Sequence, residues 1–246
     1  RLNRDDLLER LVQMQYIRNN MEFVRGSFRV KGDNVDIIPI AEKDQGIRIT
    51  FFDDEIEKIC FFEAVTGKLI STTEVVSIFP ATHFVTNQDK LNIALTRIQT
   101  EMEEQVKYFK ENDKYIEAQR IKERTNYDLE MLKEIGTCSG VENYSRHLSL
   151  RDEGETPSVL IDFFKGNFLM IIDESHVTVP QVRGMYNGDR SRKQTLVDYG
   201  FRLPSALDNR PLNFEEFNEK IDQVIYVSAT PGDYDKDRSF EVIEQI

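Results

Sequence analysis

Two short runs carry side chains that could do phosphate chemistry. The apolar stretch Phe168-Leu169-Met170-Ile171-Ile172 ends abruptly in Asp173-Glu174-Ser175-His176. Carboxylates at the C-terminal tip of a strand sit where open α/β sheets bind ligands. There an Asp can hold Mg²⁺ through its water shell, and a following Glu can orient an attacking water, as in P-loop ATPases. Further on, Gln223-Val224-Ile225-Tyr226-Val227 ends in Ser228-Ala229-Thr230, hydroxyls suited to sensing a γ-phosphate. The ordered pair is the arrangement of an ATP-driven motor core. Its catalytic candidates are Asp173, Glu174, Ser228 and Thr230, and its metal candidate is Asp173. Taken alone, the first run also fits an ordinary buried strand followed by an acidic loop.

A phosphate cradle does not accompany them. A P-loop needs Gly-x-x-x-x-Gly-Lys-Ser/Thr so that backbone N–H groups and the Lys wrap the phosphates. The Gly-Lys pair here, Gly67-Lys68, is followed by Leu69 and falls in a hairpin turn. This stretch of chain is therefore expected neither to bind nor to hydrolyse ATP unaided.

The elements that must position these groups follow from periodicity. The pattern predicts strands buried on both faces at 168–173 and 223–228. Between them lie a Gly-punctuated basic stretch, Val179 to Lys193, and a helix over 214–221 with Glu215 and Glu216 in its first turn. Upstream, half of the residues from Glu101 to Glu134 are charged and none is Gly or Pro. Long solvated helices broken near Asn112-Asp113 account for this, with Gly136 as the stop.

The first part of the chain reads as an α+β module. Asp5 to Tyr16 forms an amphipathic helix with Asn3 as its cap. Hairpins follow around Gly32-Asp33-Asn34, Asp53-Asp54 and Thr66-Gly67-Lys68. Arg29, Lys31 and Arg48 occupy strand positions that alternate with apolar ones, and Arg18 sits just past the helix. They fit a solvated polar face or a charged docking face for an acidic partner. In Val141–Leu150, Tyr144 and Arg146 suit base stacking and phosphate contact. Equally, Tyr144 fits the core, with Arg146 pairing Glu142. The fold class is mixed α/β: a small antiparallel-sheet module over 1–86, a helical segment over 87–156, and part of a parallel sheet over 157–246.

A formal net charge of −12 leaves no global basic field, so nucleic-acid contact would rest on local patches. Cys60 and Cys138 have no metal spacing and read as free thiols in a reducing compartment. Without an apolar membrane-length run or signal-peptide pattern, the cytoplasm is the expected location. The chain opens on Arg1 and closes as a new element is under way, as a segment of a longer protein would.

Four longer runs sharpen the reading. They are residues 25–33 (Arg-Gly-Ser-Phe-Arg-Val-Lys-Gly-Asp), 138–147 (Cys-Ser-Gly-Val-Glu-Asn-Tyr-Ser-Arg-His), 173–193, which starts Asp-Glu-Ser-His-Val-Thr-Val-Pro-Gln-Val-Arg-Gly-Met-Tyr-Asn-Gly-Asp, and 200–212 (Gly-Phe-Arg-Leu-Pro-Ser-Ala-Leu-Asp-Asn-Arg-Pro-Leu). With Tyr226-Val227-Ser228-Ala229-Thr230-Pro231-Gly232, they resemble the UvrB family, the damage-recognition subunits of the bacterial UvrABC excinuclease. The resemblance spans essentially the whole chain.

It implies a UvrA-binding domain at 1–86, with Arg18, Arg29, Lys31 and Arg48 on its docking face. Lys31 stands where Arg is usual and Thr50 where an acid is expected; Lys cannot reproduce a bidentate Arg contact. It implies a DNA-flanking helical domain at 87–156, with Arg124, Tyr144 and Arg146 as DNA contacts. Residues 157–246 would belong to a RecA-like P-loop NTPase sheet. There Asp173 would hold Mg²⁺, Glu174 would polarise the hydrolytic water, and Ser228 and Thr230 would couple hydrolysis to DNA.

ATP and Mg²⁺ are the implied cofactors of the full-length protein. UvrA, UvrC and damaged double-stranded DNA are the implied partners, with no membrane. The P-loop and an aromatic-rich hairpin would lie upstream, and a second motor domain downstream. Two other readings stay open: an interaction module without chemistry, and a DEAD-like DNA translocase such as the transcription-repair coupling factor.

Overall fold

The structure, a computed structural model, describes residues 2–22, 24–42, 44–82 and 88–244. Contacts divide the chain into two compact units, residues 1–87 with 131–137, and residues 88–130 with 138–246. The residues expected at 87–156 and 157–246 therefore contribute mainly to one compact unit, and the boundary expected at 86/87 lies outside the described residues.

The first unit is a helix on a sheet. Helix α1 (Arg4–Gln13) starts at Asn3, whose side chain accepts the Asp6 N–H at 2.8 Å. Its apolar spacing buries Leu7 and Leu11 against the sheet. Six strands follow in spatial order β1 to β6: β1 (Ile17–Arg18), β2 (Ser27–Lys31), β3 (Asn34–Ile38), β4 (Gln45–Phe52), β5 (Glu55–Glu63) and β6 (Leu69–Thr73). All neighbours are antiparallel except β1, which runs parallel to β2, so Arg18 lies on an edge strand. Leu7, Leu11, Tyr16, Phe28, Val35, Ile37, Ile47, Ile49 and Phe51 form its core. Each such side chain contributes roughly 1.5–3 kcal/mol by leaving water.

On the opposite face, register places Arg29 against Asp36 and Asp36 against Arg48. Gly46 makes room there: a Cβ would stand 2.5 Å from Phe62 Cζ. The last turn of the second long helix belongs to this unit too, where Gln15 Nε2 donates to Ile135 O at 2.7 Å.

The second unit begins with α2 (Gln88–Glu111) and α3 (Tyr115–Ile135). They are separated where predicted, with Asp113 in the left-handed region at φ 59°. A 3-10 turn (Val141–Tyr144) and α4 (Ser145–Leu148) follow, then a second 3-10 turn (Leu160–Phe163). Next come β7 (Leu169–Ile172), α5 (Ser175–Asp198), a 3-10 turn (Pro204–Asp208), α6 (Phe214–Glu219), β8 (Gln223–Tyr226) and α7 (Asp233–Arg238). Strands β7 and β8 pair in parallel, Leu169 opposite Gln223 through Ile172 opposite Tyr226.

Two expectations change. The apolar run of β7 is not buried on both faces: Leu169 and Ile171 are 53% and 63% exposed, while Ile172 is buried. Two-sided burial needs a covering layer on each face, and this two-stranded sheet has one face open. The Gly-punctuated stretch is one 24-residue helix, α5, with Pro180 inside it. Burial, one intrahelical ion pair and a contact with a later segment outweigh propensity here. Val179 and Val197 are buried, Lys193 binds Asp189 at 2.8 Å, and Arg183 lies over the Phe214 ring at 4.5 Å.

Gly200, at φ +70°, ends α5 as its left-handed cap, with Phe201 N–H donating to Leu196 O at 2.8 Å. A Cβ there would meet Glu117 O at 2.6 Å. Both cysteines are buried and free. Among the described residues no helix is long and apolar enough to cross a membrane.

Candidate functional site

The parallel pairing of β7 with β8 brings the two motifs together. Beyond the strands, Val227 N–H donates to Ile172 O at 2.9 Å and Ser175 N–H to Val227 O at 3.0 Å. This ladder sets the Asp173 turn beside Ser228. His176 Nδ1 lies 2.8 Å from Ser228 Oγ and 3.3 Å from Glu174 Oε2, with donor and acceptor roles following the ring's tautomer. Ser228 Oγ also accepts the Thr230 N–H at 3.0 Å. The histidine, not singled out from sequence, is thus the link between acidic and hydroxyl motifs. Its signal was its place at the end of Asp-Glu-Ser-His, opposite Ser228.

Asp173 and Glu174 are both exposed. Asp173 Oδ1 accepts the Glu174 N–H at 3.0 Å, and Asp173 O accepts the Thr178 hydroxyl at 2.9 Å. Glu174 adopts φ 45°, ψ 48°, a left-handed conformation costly for a residue with a Cβ. Such strain concentrates at functional turns, where surrounding contacts over-determine it.

The basic residues of the first unit divide into two pairs. Arg48 clamps Asp36 bidentately, Nε to Oδ1 at 2.6 Å and Nη2 to Oδ2 at 2.9 Å, and Arg29 Nε donates to Oδ2 at 3.0 Å. The Asp36 side chain is 2% exposed, and its hydrogen bond to Arg48 raises that guanidinium above its ordinary pKa. Arg29 and Arg48, expected on a solvated or docking face, are thus partly withdrawn, their side chains 20% and 32% exposed. A carboxylate directly opposite both on the central strand draws them inward. Arg18 and Lys31 are exposed.

The three DNA-contact candidates also separate. Tyr144 is buried, its hydroxyl donates to Asp128 Oδ2 at 2.7 Å, and burial pushes its phenol well above the usual range. A ring so placed has no face for a base, so of the two sequence readings the core one matches the geometry. Arg146 does not pair with Glu142. It bridges Asp208 at 2.8 Å and Glu101 at 3.1 Å, its side chain 12% exposed, beside His147, which meets Glu101 at 2.8 Å. Arg124 binds Asp128 at 3.0 Å and Ser139 O at 3.1 Å, but its side chain stays 39% exposed.

A second charge pair steadies the segment between the motifs. Arg210 grips Glu216 with two hydrogen bonds of 2.8 Å, and Asn213 N–H donates to the same carboxylate at 2.9 Å. The Arg210 guanidinium first, then that backbone donor, hold Glu216 down to about 2 against the opposing pull of burial. A depressed carboxylate adds stability that is complete above its unfolded value of about 4.3 and disappears as pH falls towards the folded one. Acid titration should therefore show extra loss of stability between about pH 4 and 2 that Glu216→Gln lacks, read by circular dichroism.

Against known proteins, residues 1–84 match the model of the UvrB interaction domain and residues 89–150 that of the UvrB third helical domain. UvrABC system protein B of Oceanobacillus iheyensis is 58% identical over 244 residues, 99% of this chain. The proteins of the same name from Bacillus cereus and Geobacillus kaustophilus are 59% identical over 244 residues and 57% over 245, covering 99% and 100% of this chain. In each case the chain spans 37% of the relative's length. The two domain matches together cover more than half of the chain, and similarity continues through both motifs. The chain belongs to the UvrB family.

Proposed function

We propose that this chain is the docking and partial motor portion of an ATP-dependent subunit that verifies DNA damage in nucleotide excision repair. The observation that carries the reading is the junction of Asp173-Glu174-Ser175-His176 with Ser228-Ala229-Thr230 through the 2.8 Å His176–Ser228 contact. Such a junction gives phosphate-facing carboxylates a direct mechanical link to a second loop.

The donor set suits Mg²⁺ arriving with a polyphosphate. Mg²⁺ takes one or two protein carboxylates and fills its remaining positions with phosphate and water. Adjacent exposed carboxylates fit that role, and among the described residues no cluster of three metal-ligating side chains offers a closed cage instead. When bound, the Mg²⁺-nucleotide supplies the phosphoryl group and neutralises the charge developing on it. Asp173 would hold the metal. Glu174 accepts a hydrogen bond from the attacking water and orients it. His176 transmits the position of Glu174 to Ser228, and Thr230 follows through its backbone bond to the Ser228 hydroxyl. Location in the cytoplasm accords with this work.

The first unit docks UvrA, an assignment supported by its match to the interaction domain. The exposed cations Arg18 and Lys31 lead that contact, with the Arg29–Asp36–Arg48 cluster presenting a net positive charge behind them. DNA runs beside the helical segment, where Arg124 offers the accessible guanidinium, and UvrC is recruited through the complete protein. Titrating this chain into UvrA in a calorimeter tests the docking. Heat with a midpoint at micromolar concentration or below is expected, and no heat at that concentration would overturn it.

A further inference from the structure

Asp235 belongs to neither motif, yet it is 3% exposed and its Oδ2 accepts the Ser175 hydroxyl at 2.7 Å. The same oxygen accepts the Gly232 N–H at 3.1 Å. No ion pair reaches this carboxylate among the described residues. A buried carboxylate held by neutral donors alone is costly in an apolar setting. Part of that cost is offset where Asp235 closes the capping box of α7 through the Gly232 N–H, and its other bond runs to Ser175. Ser175 is itself wholly buried and opens α5 immediately after Glu174.

The position of that contact gives it meaning. Glu174, at φ 45°, stays left-handed only if the chain on both sides is fixed. On the strand side, the Val227 ladder fixes Ile172 and the Ser175 backbone. On the helix side, the Ser175 hydroxyl is fixed by Asp235. We infer that Asp235 is a positioning residue of the nucleotide site: through Ser175 it holds the Glu174 turn in register and ties it to the segment that follows Ser228-Ala229-Thr230. The two motifs are then joined twice. The His176–Ser228 contact lies at the partly exposed edge, and the Ser175–Asp235 contact lies underneath it.

The inference rests on the proposed ATP reading, and its test separates the two. In the complete protein, Ser175→Ala, Asp235→Ala, their combination, Asp235→Asn and the control Asp173→Asn are compared. ATP turnover, fluorescent-nucleotide binding, amide exchange and thermal unfolding are measured for each. Ser175→Ala and Asp235→Ala should each lower kcat on the order of tenfold, the cost of a misplaced water-orienting group. Nucleotide affinity should stay within about twofold, marking loss of an interaction made only in the transition state.

The double variant should be no worse than either single one, because both remove the same bond. Asp235→Asn, which keeps an acceptor oxygen, should turn over near the parent rate. Amides 174–178 should lose more exchange protection in Ser175→Ala than the rest of α5 does, beyond the modest fall in unfolding temperature caused by the donor Asp235 loses. If Asp235→Ala fails to fold, the Ser175→Ala kinetics and exchange decide. Parent-like kcat and protection in Ser175→Ala, or additive losses in the double variant, would overturn the tether. Asp173→Asn turning over ATP normally would instead overturn the ATP reading.

Discussion

Asp173→Asn in the complete protein should abolish DNA-stimulated ATP turnover while leaving UvrA binding and thermal stability unchanged. The expected loss is about a hundredfold or more, because a metal-holding carboxylate supplies several kcal/mol of transition-state stabilisation. Stability should hold because the side chain is exposed. Its hydrogen bond, Oδ1 with the Glu174 N–H, is one an Asn carbonyl oxygen can still accept. Phosphate release measured with and without DNA, alongside UvrA calorimetry, checks both halves. Normal turnover would remove Asp173 from the chemistry, and loss of UvrA binding would show the change had spread beyond the site.

Arg48→Glu should have the opposite profile, a large stability defect centred on the first unit. The Asp36 side chain is 2% exposed and takes both of its Arg48 bonds at 2.9 Å or shorter. Removing Arg48 takes away two charge-assisted hydrogen bonds and leaves the buried Asp36 held by Arg29 alone, a cost of about 2–4 kcal/mol. A Glu opposite Asp36 adds repulsion. Thermal unfolding should move down by roughly 15 °C for a unit of this size, and UvrA docking would fail for want of a folded surface.

The informative docking variants are therefore Arg18→Glu and Lys31→Glu at exposed positions. They should leave the unfolding temperature in place and weaken UvrA association by about 1–3 kcal/mol, chiefly in its on-rate and salt dependence. A stable Arg48→Glu protein would show that the clamp matters little to folding. Unchanged UvrA affinity in the Arg18→Glu, Lys31→Glu double variant would take the docking face elsewhere on the unit.

Most elements were legible in the sequence because they follow local rules. Asn3 before an amphipathic run, the hairpins around Gly32-Asp33 and Asp53-Asp54, and the break near Asn112-Asp113 each reflect a preference of a few adjacent residues. What such rules miss is visible in α5. Pro180, Gly184 and Gly188 argue against a helix one residue at a time. The buried Val179 and Val197, the Lys193–Asp189 pair and the Arg183–Phe214 stack outweigh them together. The Lys193–Asp189 pair is a local i,i+4 contact within α5, but Phe214 lies on another segment, beyond the reach of the local pattern.

The candidate site shows the same division. Residue types and order were enough to bring Asp173, Glu174, Ser228 and Thr230 forward, since metal-holding carboxylates and sensing hydroxyls at strand ends are chemical requirements. Alternation marked Arg29 and Arg48 as off the core face, but a period of two cannot say whether that face is wet. The cross-strand register, Arg29 opposite Asp36 opposite Arg48, turned them inward. Composition left Tyr144 and Arg146 open between DNA and core. Asp128, Glu101 and Asp208, all distant in sequence, satisfied them from within.

By itself, then, the sequence determined most of the strands and helices, the family likeness and the chemistry at the two strand ends, because each is written in contiguous residues. The tertiary structure alone decided which charges are already satisfied and which remain available. It also decided that His176 and Asp235 join the two motifs. Both depend on hydrogen bonds between groups brought together by the parallel register of β7 and β8, and no spacing along the chain encodes that register.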